Sequence, residues 1–313
     1  MKRILLTGAT GFIGRQCIPL LLSQGYEVHA VSSRRAARDD TPVLWHQADL
    51  LDPPQASRLV SEVRPSHLLH LAWYTVPGHY WTSGENLRWV QASLGLLQAF
   101  GENGGQRVVM AGTCAEYDWQ HGICSESVTP LSPTTLYGTC KHSLQLMLTA
   151  FSRETTLSAA WGRIFFVFGP HEAPDRLVAY VIQSLLQKTP ARCSHGDQVR
   201  DFLYVQDVAN AFVSLVESAV SGPVNIASGR PTVLRDVIGK IGELLHRPDL
   251  IQLGTLPARE DEPALLVADV GRLTKEVGWA PQYDLTSGLE RTIEWWKGQM
   301  AQNNMNRMNE CPH

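Results

Sequence analysis

The chain has 313 residues, 44% of them hydrophobic and 18% charged, the balance of a soluble globular protein with room for one large or two modest domains. A net charge of -3 offers no electrostatic footprint for nucleic acid or an anionic membrane, and no apolar run is long enough to span a bilayer. The opening Met1-Lys2-Arg3-Ile4-Leu5-Leu6 is cut by Thr7 and Gly8, too early for the apolar core of a signal peptide, so a first strand and a cytoplasmic location are expected.

Strand and helix signals alternate through the first half. Arg3 to Leu6 reads as an apolar strand, and Ile13 to Gln24 carries apolar residues at helical spacing before a stop at Gly25. Glu27 to Ser32 and Val43 to Gln47 are further strands, Ala56 to Val63 a helix, and His67 to Ala72 a buried strand. Glu85 to Asn103 is a long amphipathic helix, Arg107 to Ala111 a strand, Thr135 to Glu154 a helix and Ser158 to Val167 a strand. Short strands alternating with crossover helices predict an α/β fold, a doubly wound parallel sheet covered on both faces.

The rhythm loosens after Gly169-Pro170. Arg176 to Gln187 is a helix, Gly196 to Phe202 a turn leading into an edge strand, Gln206 to Ser218 a helix, and Pro223 to Ala227 one more strand of the main sheet. Leu234 to His246 and Leu285 to Trp296 are helices, and the polar tail from 302 to 313 is expected to fray. Residues 1–167 plus 204–228 then form a nucleotide-binding unit, and 168–203 plus 229–300 a smaller mixed α/β unit for the substrate.

The six cysteines, Cys17, Cys114, Cys124, Cys140, Cys193 and Cys311, form no C-x-x-C pair and read as reduced thiols. No metal site is expected. His67 and His70 lie in an apparent buried strand, where a hydrogen-bonded core histidine is the better reading.

Glycines fall at 8, 11 and 14 in Thr7-Gly8-Ala9-Thr10-Gly11-Phe12-Ile13-Gly14. Coming between an apolar strand and a helical pattern, they suit a dinucleotide loop. One glycine permits the tight turn, one lets backbone N–H groups approach the pyrophosphate, and one lets the helix pack close to the sheet. NAD enzymes place an acid about 20 residues further on, for the ribose hydroxyls. Here that place reads Val31-Ser32-Ser33-Arg34-Arg35, with Asp39 and Asp40 too far into the loop. Arg34 and Arg35, with Ser33, can bind a 2′-phosphate, so NADP(H) is favoured over NAD(H). Asp49-Leu50, after the third strand, fits the adenine edge.

Tyr137 and Lys141 are four apart on a predicted helix, hence on one face. A free phenol, with a pKa near 10, is a poor base at neutral pH. A nearby ammonium favours the phenolate, so the pair can move a proton to or from a carbonyl or alcohol oxygen. Thr113 lies at the carboxyl edge of the sheet and can donate to the developing oxyanion. These residues describe a nicotinamide-dependent enzyme.

They resemble the extended short-chain dehydrogenase/reductase family, in its nucleotide-sugar branch, from about Met1 to Trp296. The resemblance rests on the glycine loop, His70-Leu71-Ala72, Thr113-Cys114-Ala115-Glu116-Tyr117, Tyr137-Gly138-Thr139-Cys140-Lys141, Phe168-Gly169-Pro170, the run Arg200 to Ala209, and Asn225-Ile226-Ala227-Ser228-Gly229. It implies a Rossmann domain and a smaller domain closing over a sugar nucleotide. It also implies Thr113, Tyr137 and Lys141 as catalytic trio, Leu71 and Ala72 beside the cofactor, and a homodimer through the helices at 85–103 and 135–154. Arg200 and Arg259 match arginines near the substrate diphosphate; an ion pair with Asp201 or Glu260 is the alternative for each.

This chain departs from that pattern in three places. Cys114 and Ala115 stand where dehydratases carry an Asp-Glu pair, Phe166 where many epimerases keep an Asn, and the acidic NAD residue is absent. These departures favour NADPH-dependent reduction of a nucleotide-linked 4-keto(-6-deoxy)hexose, with a nucleotide-sugar 4-epimerase as the alternative. Trp73, Tyr74, Tyr80 and Trp81 could line the sugar or base pocket or form a packed loop cluster.

Overall fold

The computed structural model describes residues 2–34, 42–257 and 262–309. The first half runs β1 (Arg3–Thr7), α1 (Gly14–Ser23), β2 (Glu27–Ser32), β3 (Leu44–Gln47), α2 (Pro53–Val63), β4 (His67–His70), α3 (Glu85–Glu102) and β5 (Arg107–Thr113). Next come β6 (Ile123–Cys124), α4 (Leu136–Glu154), β7 (Ser158–Ile164), β8 (Phe166–Phe168), α5 (Leu177–Leu186), β9 (Ala191–Arg192), β10 (Val199–Tyr204), α6 (Val205–Glu217) and β11 (Gly222–Ile226). The chain closes with β12 (Pro231–Val233), α7 (Leu234–Leu244), β13 (Ile251–Gln252), β14 (Leu265–Ala268), α8 (Gly271–Lys275) and α9 (Leu285–Asn309).

Seven strands form an all-parallel sheet in the order β11-β7-β5-β4-β1-β2-β3. Strands β1, β4 and β5 are buried nearly throughout because helices cover both faces. Cys17, Ile18 and Leu21 of α1 and Val208, Phe212 and Leu215 of α6 pack on one side. Leu59 and Val60 of α2, Leu96 and Phe100 of α3 and Leu144 and Leu148 of α4 pack on the other. Strand order reverses between β1 and β4, which opens a crevice at their carboxyl ends, where doubly wound folds bind ligands.

A second sheet, β12-β10-β14-β6 with β8 also on β10, builds the smaller region. Two expectations change here. The strand expected over 158–167 breaks after Ile164, and Phe166–Phe168 joins the second sheet, so the division expected at 167 falls inside β8. The stretch Gly196 to Phe202, expected as a turn leading into an edge strand, is strand from Val199 onward, and that strand is interior, flanked by β12, β14 and β8. Both of its charged residues are buried and bonded. Asp201 accepts from the N–H groups of Ser228, Gly229 and Ala268 and from the Ser228 hydroxyl, while Arg200 pairs with Glu262 at 2.9 Å. Helix α9 continues to Asn309, past the point at 302 where the tail was expected to fray. Among the described residues no helix is long and apolar enough to cross a membrane.

Candidate active site

The loop leaving β1 turns at Gly8, whose φ of +68° favours glycine. A Cβ there would lie 2.9 Å from Ala72 N, and one on Gly14 only 2.1 Å from Gly8 O. The loop is thereby pressed onto the exit of β4 and α1 onto the loop. Thr10 and Gly11 remain exposed, while Phe12 and Ile13 pack toward the core of the smaller region. Helix α1 has no side-chain cap and no acid in its first turn. Its uncapped N-terminus is therefore suited to an anion, and the residues present fit a dinucleotide pyrophosphate.

The exit of β4 is fixed by a network that sequence reasoning saw only as a core histidine. Thr7 Oγ1 accepts from Leu71 N at 3.1 Å and Ala72 N at 3.2 Å. Its hydroxyl then donates to His70 Nδ1 at 2.7 Å, and His70 Nε2 donates to Ser93 Oγ at 2.8 Å. Burial pulls His70 down to about 3, so it stays neutral. Leu71 and Ala72 are thus held beside the glycine loop.

Helix α4 begins at a Thr135 cap, whose Oγ1 accepts from Gly138 N at 3.1 Å. A Cβ on Gly138 would sit 2.3 Å from Ala115 O. That close approach sets the start of α4 against the turn after β5 and brings the Tyr137 phenol near the Thr113 hydroxyl, which favours the phenolate. Tyr80 and Trp81 wall the phenol, with ring centroids 4.9 and 5.7 Å from it at nearly perpendicular tilt. Burial pushes the half-buried phenol above its ordinary pKa, the facing Tyr80 adds to this, and Thr113 pulls the other way.

Lys141 is 4% exposed, and its Nζ donates to Ala111 O at 2.8 Å and lies 3.7 Å from the Trp73 ring centroid. Burial pulls the amine down to about 7 against the opposing attraction of Glu116. The sequence expectation had this ammonium lowering the phenol; burial and the facing Tyr80 outweigh it, and the amine is turned toward β5 and Trp73.

At the far end of the crevice, Ser33 and Arg34 are exposed beyond β2. Arg35, Asp39 and Asp40 lie outside the described residues. Asp49 is exposed, its carboxylate accepting from Leu51 N at 2.9 Å, and Leu50 is buried in the core. On the opposite side Phe166 packs on Phe202 with its ring tilted, and the Arg200 guanidinium lies 5.4 Å from the Phe166 ring. Arg200 pairs with Glu262, neither of the partners considered from sequence. Arg259 and Glu260 lie outside the described residues. Trp73 sits by Lys141 and donates from Nε1 to Asn86 at 2.9 Å. The structure thus brings Thr113, Tyr137, Lys141, Trp73 and the Tyr80-Trp81 pair together, and sets Phe166 beside Arg200.

Sequence reasoning missed Glu116, Arg163 and Glu172. Glu116 and Arg163 form a fully buried ion pair at 2.8 Å beneath Thr113. Glu172, two residues past Pro170, is buried and pushed up to about 8 by that burial. Only the position of Glu116 inside a strand-end motif offered any signal.

A doubly wound parallel sheet with a glycine loop at its switch point defines a Rossmann-type dinucleotide-binding protein. The chain belongs to the NAD dependent epimerase/dehydratase family, whose profile matches residues 4–227. UDP-glucuronic acid decarboxylase 1 of Danio rerio is 27% identical over 319 residues, covering 96% of this chain and 73% of that protein. The UDP-N-acetylglucosamine 4-epimerase of Methanobrevibacter ruminantium M1, in complex with UDP-N-acetylmuramic acid, is similar with a TM-score of 0.84 and 25% identity over 96% of this chain and 99% of that one. MoeE5 in complex with UDP-glucuronic acid and NAD gives a TM-score of 0.82 at 27% identity, over 96% and 100%.

Proposed function

We propose that this chain oxidises the C4 hydroxyl of a nucleoside-diphosphate hexose and re-reduces it in a closed cycle, as a nucleotide-sugar 4-epimerase does. The observation that carries the reading is the Tyr137 phenol set near Thr113 at the carboxyl edge of the sheet, at the same edge as the glycine loop. The relatives add weight. A 4-epimerase needs a ketone at C4, and a UDP-glucuronate decarboxylase gains one by the same oxidation, since a 4-ketone makes the C6 carboxylate a β-keto acid.

The glycine loop with Leu71 and Ala72 would hold the dinucleotide, and Ser33 and Arg34 its adenosine ribose. Bound there, a nicotinamide would accept and return hydride. Tyr137 would take the proton leaving the sugar hydroxyl and give it back on the return. Thr113 would donate to the same oxygen as charge builds on it. Lys141, protonated, would favour the phenolate. Trp73, Tyr80 and Trp81 would wall the ring, and Arg200 would face the diphosphate after exchanging its bond to Glu262. Cys114 and Ala115 supply no acid–base pair for water loss.

A second reading, NADPH-dependent reduction of a 4-keto(-6-deoxy)hexose nucleotide, draws on Arg34, exposed past β2 with no acid at 32–34. Incubation with UDP- and dTDP-hexoses separates the two. Isomerisation without added cofactor supports the closed cycle. NADPH loss in step with a 4-keto substrate supports the reductase, and inertness with every nucleotide sugar contradicts both.

A further inference from the structure

Glu116 lies three residues beyond Thr113, is fully buried, and takes no part in the steps above. Its Oε1 accepts from Thr113 N at 2.8 Å and from Trp161 Nε1 at 2.9 Å. Its Oε2 accepts from Arg163 Nε at 2.8 Å. The strand is built to admit these bonds: a Cβ on Gly112 would meet Trp161 Nε1 at 2.0 Å and Glu116 Oε1 at 2.6 Å.

The same carboxylate faces a second member of the site. The Lys141 ammonium bonds a neutral carbonyl and lies 3.7 and 5.9 Å from the ring centroids of Trp73 and Trp161; among the described residues no carboxylate reaches it as an ion pair. Trp161 therefore stands between the two charges, its N–H on Glu116 and its ring toward Lys141. Glu116 is the group whose charge favours the protonated amine. The other titratable groups around this pocket are His70 on β4, Cys114 beside Thr113, Arg163 on β7, Tyr80 before α3, and Tyr137 and His142 on α4.

We propose that Glu116 is a positioning residue of this site, its carboxylate fixing the backbone that presents Thr113 and supplying the negative charge that the buried Lys141 ammonium lacks from any direct partner. The inference rests on the roles given to Thr113, Tyr137 and Lys141. A pair serving packing alone would disturb the site in the same direction whichever partner were removed. A counter-charge makes the two directions opposite. Without Glu116 the amine sheds its proton at lower pH; without Arg163 the carboxylate acts unshielded and the amine keeps its proton to higher pH.

The test titrates Lys141 in the protein as purified, labelled with 13C at lysine Cε. Its resonance among the six lysines is identified by its loss in Lys141→Arg. Glu116→Gln is expected to lower the midpoint by about one pH unit or more, and Arg163→Met to raise it. Turnover measured against pH should lose its high-pH limb earlier in Glu116→Gln. Should that variant not fold, Glu116→Gln with Arg163→Met is read instead, with a smaller fall expected because the two effects oppose. An unmoved midpoint, or a shift of the same sign in both single variants, overturns the proposal. A lowered midpoint with an unmoved activity limb upholds the counter-charge and contradicts the catalytic role of Lys141.

Discussion

Lys141 shows how single residues set the terms of this site. Its folded-state value near 7 lies below the ordinary 10.5, so the folded chain binds fewer protons than the unfolded chain between those limits. The resulting cost is fully present below about pH 7 and is relieved as pH rises toward 10.5. Urea titrations should therefore show Lys141→Met more stable than the parent at pH 7, by a few kcal/mol, with the difference shrinking by pH 10. At the other end of the crevice, Arg34→Ala should weaken NADPH binding at least tenfold and NADH binding little, by fluorescence titration; equal losses would remove the case for 2′-phosphate recognition. That Tyr137 and Lys141 share one helix face was legible because it is encoded in local spacing. Glu116 and Arg163 were not. They lie 47 positions apart and pair only once β5 and β7 are neighbours. Two charged residues carry no sequence mark of being fully buried.

At the scale of elements, the start of α4 decides whether the phenol reaches Thr113. Gly138→Ala would drive a methyl into Ala115 O, displacing the helix by tenths of an ångström or more. Overpacking of this kind costs about 1–3 kcal/mol. We expect thermal unfolding to fall accordingly and turnover to drop far more than cofactor affinity, since the glycine loop is untouched. Strands and helices of the first half were legible because strands such as β1, β2 and β5 are buried on both faces and helices such as α2 on one. The second half was harder for a physical reason. Its strands are short, β8 follows β7 after one residue, and β10 buries an arginine and an aspartate. Apolar patterning says little when the interior of a sheet is satisfied by ion pairs and backbone amides.

At the scale of the molecule, helices α3 and α4 pack together on one face of the main sheet and still expose Leu87, Leu146 and Met147. Such a patch suits a second copy of the chain, and we propose a homodimer through these helices. Sedimentation should show a dimer for the parent and a monomer for Leu146→Arg with Met147→Glu. A monomeric parent would dismiss the proposal. The reversal of strand order at β1 and β4, which places the crevice, was implicit in the glycine loop. The position of the second sheet over that crevice followed from no local pattern.

The most direct test of the central claim is a single turnover followed at 340 nm, mixing the cofactor-loaded protein with the UDP- or dTDP-hexose it turns over. The account predicts a transient rise in the parent and none in Tyr137→Phe, which should still bind the cofactor with unchanged affinity. A transient of the same rate and size in Tyr137→Phe would contradict the phenol as the proton acceptor.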